Sequence, residues 1–329
     1  MKKTGFKKRI VAMLMAMAML VTMIPVTAVA APAGEMHAVW ISYLDMPAML
    51  AGKNQAQFDA NFTAACDKVL ANGCNAVIVH VRSHNDAIYP SAIYPWSTRM
   101  AQGVNPGFDP LADMVSIAHS KGLQFHAWIN PYGYRNGVYE NPQFVSQENI
   151  VAGVAEIVNK YAVDGIHFDD YFPPLGAAAH NQMIQRVYQT AHAAGKVFGI
   201  SPQGNVENNI AMGADVRTWL STPGYVDYVC PQIYWTDHYG STGAVTMYSN
   251  RLNQWAAMNT AGVKMYVGLA AYRAGNPIAS DPGWALSSSN LQTMANAAAA
   301  KGWGGYFLYS YASLSSPAAQ AELTNLRAR

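Results

Sequence analysis

Asn75-Ala-Val-Ile-Val-His-Val-Arg82 decides the fold. Val77, Val79 and Val81 alternate with Ile78, His80 and Arg82, and a two-residue period marks a strand whose two faces meet different surroundings. Helical patterns flank it, Phe58 to Ala71 before and Leu111 to Ser120 after, followed by Gly73 and Gly122 as helix-ending residues. Working outward, short apolar segments recur at 37–43, 75–83, 123–131, 166–172, 196–203, 226–235, 263–272 and 303–311. Between and after them the helices continue as Glu148 to Tyr161, Asn181 to Ala194, Val216 to Leu220, Met247 to Asn259, Leu291 to Ala300 and Ala318 to Leu326. Eight strand-helix units predict an α/β fold, a (β/α)8 TIM barrel forming a single domain over residues 31–329.

The chain has 329 residues, of which 12% are charged and 51% hydrophobic, the balance of a large packed core rather than a disordered chain. Lys2, Lys3, Lys7, Lys8 and Arg9 precede an apolar run from Ile10 to Ile24 and the small residues Ala28 and Ala30. This three-part pattern reads as a signal peptide over residues 1–30, cleaved after Ala30, with an apolar run too short for a comfortable membrane span. Beyond it 16 basic residues face 19 acidic ones, a net charge of about −3, which does not indicate a nucleic-acid binder. A secreted or cell-wall-associated product with no membrane span after signal removal is the expectation. Cys66, Cys74 and Cys230 match no zinc spacing and read as buried thiols.

Parity along each strand separates a helix-facing set from an axis-facing set. Leu123, Phe125, Ala127 and Ile129 leave Gln124, His126, Trp128 and Asn130 inward, and Ile166 and Phe168 leave His167, Asp169 and Tyr171 inward. Later strands offer Ser201, Gln203, Gln232, Tyr234, Tyr272, Tyr309 and Tyr311. Barrel interiors are ordinarily filled by branched apolar residues, so this many polar groups predict a ligand pocket at the C-terminal ends of the strands. The long connection from Ser83 to Phe108 carries Asp86, Tyr89, Tyr94 and Trp96 and is expected to overhang that pocket.

Met36-His-Ala-Val-Trp-Ile-Ser, Asn75-Ala-Val-Ile-Val-His-Val-Arg, Asn85-Asp-Ala-Ile-Tyr-Pro-Ser, Pro95-Trp-Ser, Gly107-Phe-Asp-Pro-Leu, His126-Ala-Trp-Ile-Asn-Pro-Tyr, Asp164-Gly-Ile-His-Phe-Asp-Asp-Tyr-Phe-Pro and Pro231-Gln-Ile-Tyr-Trp resemble, in that order, the glycosyl-hydrolase-like family 10 of bacterial exported proteins. The resemblance covers nearly all of the chain beyond residue 30. It implies a TIM-barrel glycosidase of the bacterial envelope, with cell-wall glycan strands as substrate. The sequence departs where Gly133 and Tyr134 precede Arg135, and where Gln203 follows Ser201-Pro202.

Glycoside hydrolysis calls for one protonated and one ionised carboxyl group, about 5 to 9.5 Å apart. Asp169 is the first nominee, inward by parity and within a family motif, with Asp170 beside it on the outward parity. The second carboxyl is expected from a loop, Asp86 first, with Glu207, Asp237 and Asp45 as alternatives. Arg82 is expected to keep Asp86 or Asp169 ionised or to donate to sugar hydroxyls. Trp96, His126, Trp128, Asn130, Tyr132, His167, Gln232, Tyr234 and Tyr309 complete the candidate polysaccharide-binding set, and no cofactor or metal is expected. Three rival readings stand beside this one. His80, His84, His126 and His167 could serve a metal-dependent deacetylase or amidohydrolase. Asp164 to Tyr171 resembles a chitinase strand with Tyr171 where the acidic Glu would stand. A non-catalytic glycan-binding barrel is the third.

Overall fold

The computed structural model describes residues 34–329. The signal peptide expected at 1–30 lies outside the described residues. Eight parallel strand positions run in chain order: β1 (Met36–Ile41), β2 (Ala76–Arg82), β3 (Gln124–Ile129), β4 (Gly165–Phe168), β5 (Val197–Ile200), β6 (Tyr228–Val229), β7 in two pieces (Lys264–Met265 and Val267–Leu269) and β8 (Gly305–Leu308). Each pairs with its sequence neighbour, and β1 pairs with β8. The first piece of β7 pairs with β6 and the second with β8, so the two edges of the sheet meet within one segment. This is the TIM barrel that the periodicity predicts.

Helices follow the strands as α1 (Gln55–Ala71), α2 (Pro110–Ser120), α3 (Gln147–Lys160), α4 (Ala177–Ala193), α5 (Val216–Ser221), α6 (Met247–Met258), α7 (Asn290–Ala299) and α8 (Gln320–Arg327). Their starts are chemically specified. The Asn54 side chain accepts from Gln57 N–H while Gln57 reaches back to Asn54, Asp109 caps α2 ahead of Pro110, and Ser146 caps α3. Each such cap supplies about 1 kcal/mol by satisfying an otherwise unpaired helix N–H.

Two cores result. Val77, Val79, Val81, Phe125, Ile166 and Phe168 face the helices in the outer one, where burying each side chain contributes about 1.5–3 kcal/mol. The inner one, along the barrel axis, holds Ala38, Trp40, Ile78, Trp128, Tyr228, Tyr266 and Phe307. The three cysteines are buried thiols with no disulfide.

Gly199 on β5 lies against the ring of Tyr228 on β6, so closely that a β-carbon there would overlap the ring. Tyr228 is the hydroxyl bridge of the axial core, so the ring has little freedom to retreat. Gly199→Ala is expected to destabilise the protein by about 1–3 kcal/mol in chemical denaturation, the range for forcing a methyl into a filled core. A loss below about 0.5 kcal/mol would show that the axis repacks freely.

Candidate active site

At the C-terminal mouth of the barrel a pocket of ≈ 190 Å³ is lined by Trp40, Tyr43, His80, Trp128, Arg135, Asp169, Asp170, Tyr171, Ser201, Gln232, Tyr234 and Tyr309. Beneath it runs a chain of buried hydrogen bonds. Trp40 Nε1, which can only donate, reaches His167 Nε2 at 3.2 Å. That nitrogen is therefore the acceptor, and His167 Nδ1–H donates to the Tyr228 hydroxyl at 2.9 Å. The Tyr228 O–H in turn donates to His126 Nδ1 at 3.0 Å. Burial lowers the His126 pKa to about 4 and that of His167 well below its usual value, so both rings are neutral links. Ser201 Oγ lies 2.9 Å from His167 Nε2 and joins this chain to the pocket wall.

His80 is held in the same way. Its Nδ1 accepts from Tyr43 N–H at 3.2 Å, its Nε2–H donates to Asn130 Oδ1 at 2.9 Å, and its ring stacks on Trp128 at 3.4 Å. The His80 Nε2 to Asp169 Oδ2 separation is 4.0 Å, but burial drives the imidazole pKa down to about 3, so the contact is not an ion pair.

Asp169 follows β4 directly and is 4% exposed. Its Oδ1 accepts from Asp170 N–H at 2.8 Å and from Gln232 Nε2 at 3.2 Å, and Gln232 is anchored by a second donation to Ser201 O at 2.9 Å. Burial raises the Asp169 pKa, and these hydrogen bonds partly offset it by favouring the anion. Half-buried Asp170 is raised well above the carboxylate range, first by desolvation and then by the charge and hydrogen bonding of Asp169. The two adjacent carboxyl groups thus form a pair that burial pushes toward the protonated state, Asp170 further than Asp169. Tyr171, Tyr234 and Tyr309 all have raised pKa values through burial, Tyr309 to about 12, and stay phenolic donors.

The structure brings Asp169, Asp170, Trp128, Gln232, Tyr234 and Tyr309 together in the pocket. Asn130, His167 and His126 stand behind it as the supports just described. Four candidates lie elsewhere. A register shift in the β2–β3 pairing sets Val81 and Arg82 opposite Ile129 alone, which breaks the alternation and turns Arg82 out of the barrel. Its fully buried guanidinium lies over the Tyr94 ring at 4.4 Å and donates to that hydroxyl, so it partners neither Asp86 nor Asp169. Asp86 accepts from His84 N–H at 3.1 Å, the role of a turn residue within the long loop. Trp96 bridges Ala87 in that loop and packs on the outer core. The Tyr132 hydroxyl donates to His180 Nδ1 at 2.9 Å, outside the pocket.

No residue of 83–108 lines the pocket. That loop is instead a wall supporting the connection after β3. Glu207 pairs with Arg251 on the surface, Asp237 accepts from Ser249 and Asp45 from Ser42, so none of the alternative acids reaches the site. Parity along the strands missed Arg135 and Tyr43, because both sit past strand ends. Arg135 lies in a short hairpin pairing Tyr134–Arg135 with Val138–Tyr139, whose Asn136-Gly137 turn was the available signal. Among the described residues no group of three or more His, Cys, Asp or Glu is arranged to hold a metal ion, and no helix is long and apolar enough to cross a membrane.

Comparison with known proteins agrees with this architecture. Glycosyl hydrolase YngK of Bacillus subtilis (strain 168) is 31% identical over 76% of this chain, which spans 63% of that relative's length. A chitinase from Chromobacterium violaceum superposes with a TM-score of 0.55 at 14% identity, over 90% of this chain and 99% of that one. The spore cortex-lytic enzyme SleL of Bacillus megaterium gives 0.56 at 10% identity, over 90% and 75%. These two structures share the fold. The family model described as glycosyl hydrolase-like 10 matches residues 35–138, 131–196 and 176–286, and the chain belongs to that family.

Proposed function

We propose that this protein is an exported glycoside hydrolase that cleaves an envelope polysaccharide, with peptidoglycan glycan strands as the foremost substrate, through the Asp169–Asp170 pair. The single observation that carries the reading is that pair: two aspartates side by side in an aromatic-lined pocket, where both carboxyl groups are raised by burial. Two carboxyl groups within hydrogen-bond reach are closer than the roughly 5–9.5 Å of glycosidases that divide acid and nucleophile across the sugar ring. Here Asp170 gives its proton to the leaving glycosidic oxygen as the C1–O bond breaks. Asp169 remains anionic and meets the positive charge that develops on the ring. Water then adds at C1 and returns a proton to the pair. The stacked rings of Tyr234 and Tyr309, 6.1 Å apart, offer apolar faces for pyranose rings and hydroxyl donors for their edges. Family membership supports a glycan substrate, as the spore cortex named for SleL supports an envelope one. The start of the chain supports export.

Asp169→Asn is expected to fold and bind glycan while losing activity on the order of 10³-fold or more, about 4 kcal/mol of transition-state stabilisation. The assay is mass spectrometry of fragments released from purified peptidoglycan strands with and without stem peptides. Activity within about threefold of wild type would make Asp169 a positioning residue, and binding without any turnover by the wild type would favour the glycan-binding barrel.

The pKa directions set a second expectation. Activity falls on the acid side as Asp169 takes up a proton and on the alkaline side as Asp170 loses one. Removing the Asp169 charge removes one cause of the raised Asp170 pKa, so the alkaline limb of the residual Asp169→Asn activity moves to lower pH. Stability follows the same linkage: a carboxyl group whose folded pKa exceeds its unfolded value costs stability as pH rises through that window. Asp170→Asn therefore melts higher than wild type at neutral pH, with the gap closing below the unfolded aspartate pKa of about 3.9. An equal or lower melting temperature at pH 7 would count against a strained, protonated Asp170.

Export is tested separately. N-terminal sequencing of the secreted protein should begin at or next to Ala31, whereas a full-length membrane-embedded chain would refute cleavage.

A further inference from the structure

Arg135 stands in the pocket without a partner of its own kind. Its guanidinium carbon lies 5.3 Å from the Tyr43 ring and 5.6 Å from the Tyr171 ring, so the cation is held between two aromatic faces. Arg99, Arg186, Arg251 and Arg329 each pair with a glutamate. Arg135 forms no ion pair with any described residue, although Asp169 and Asp170 line the same pocket.

The mount is rigid. Asn85 of the β2 loop adopts φ 53° and donates through Nδ2 to Tyr132 O at 2.7 Å and Glu140 O at 3.0 Å, the residues flanking the hairpin on either side. Gly133 (φ +58°) lies against Asn85 with no room for a β-carbon, and Glu140 N–H closes the hairpin base on Gly133 O at 3.0 Å. The long loop after β2 therefore acts at the site indirectly, by locking the hairpin that carries Arg135.

We propose that Arg135 is a specificity residue that reads a carboxylate on the glycan beside the bond to be cleaved; this rests on the glycosidase reading above. A guanidinium stacked on aromatic rings keeps its planar donor fork free, and that fork matches a carboxylate through two parallel hydrogen bonds. A neutral glycan would take the same charge out of water and leave it unpaired, which is costly. The ligand chemistry is an acidic sugar, whether its carboxylate is an ether-linked lactyl group or a uronate.

The test is a binding comparison on the full-length folded protein bearing Asp169→Asn to suppress turnover. Four probes are titrated by calorimetry: N-acetylglucosamine–N-acetylmuramic acid oligosaccharides, their carboxyl-reduced form, oligouronates, and their reduced form. At least one acidic probe is expected to bind on the order of tenfold or more tightly than its reduced form, with the preference shrinking as salt rises. Adding Arg135→Gln should bring that ratio close to one, and Arg135→Lys should restore part of it. The pair that shows the preference identifies the source of the carboxylate. Equal binding of acidic and reduced forms, or a ratio unchanged by Arg135→Gln, overturns the assignment while leaving the glycosidase reading intact. Failure of all four probes to bind, together with no cleavage by the wild type, overturns both. The salt dependence needs no Arg135 variant, so the proposal stays falsifiable should the Gln variant misfold.

Discussion

The donation from Trp40 Nε1 to His167 Nε2 organises the interior of this barrel. An indole can only donate, so this bond dictates which histidine nitrogen accepts, and the direction of every later bond through Tyr228 to His126 follows. An orphaned donor or acceptor buried along the axis costs about 1–3 kcal/mol. Each link of this chain, from Trp40 Nε1 to His126 Nδ1, has its partner. The same chain fixes Ser201 and, through Gln232, the carboxylate of Asp169. Histidines that look like metal ligands or catalytic bases in the sequence are neutral braces.

The Asp169–Asp170 pair inherits its electrostatics from that frame. Burial raises both groups, and hydrogen bonds that favour the anion offset it at each; Asp170 is raised further, because the charge and hydrogen bonding of Asp169 add to its desolvation. Two adjacent aspartates of identical intrinsic acidity are thereby raised to different degrees. Like charges side by side in a low-dielectric pocket raise one another's pKa.

The mouth is assembled differently. Its residues come from connections rather than strands, and the hairpin after β3 depends on a latch from the loop after β2. Arg135 and Tyr43 reach the pocket from beyond strand ends, and Arg82 leaves it because one extra residue in β2 changes the face on which it emerges. Alternation is a reliable guide only while the strand stays regular. Bulges collect near active sites because they re-aim side chains there.

The sequence by itself determined the barrel, its eight strand-helix units and the inward path of Trp128, Asp169, Gln232, Tyr234 and Tyr309. Each follows from local periodicity and helix-ending signals that act over a few residues. Helix boundaries at Val216 and Met247 fall where the pattern put them, and others moved by a few residues because caps such as Asn54 and Asp109 extend a helix ahead of its apolar face. The partner of Asp169 was not legible, since Asp86 and Asp170 differ only in where the folded chain carries them. Asp86 is spent on its own turn, while Asp170 turns into the pocket just past the end of β4. Only the tertiary structure decided that, together with the withdrawal of Arg82 and the arrival of Arg135, because a carboxyl or guanidinium group takes its role from neighbours distant in sequence.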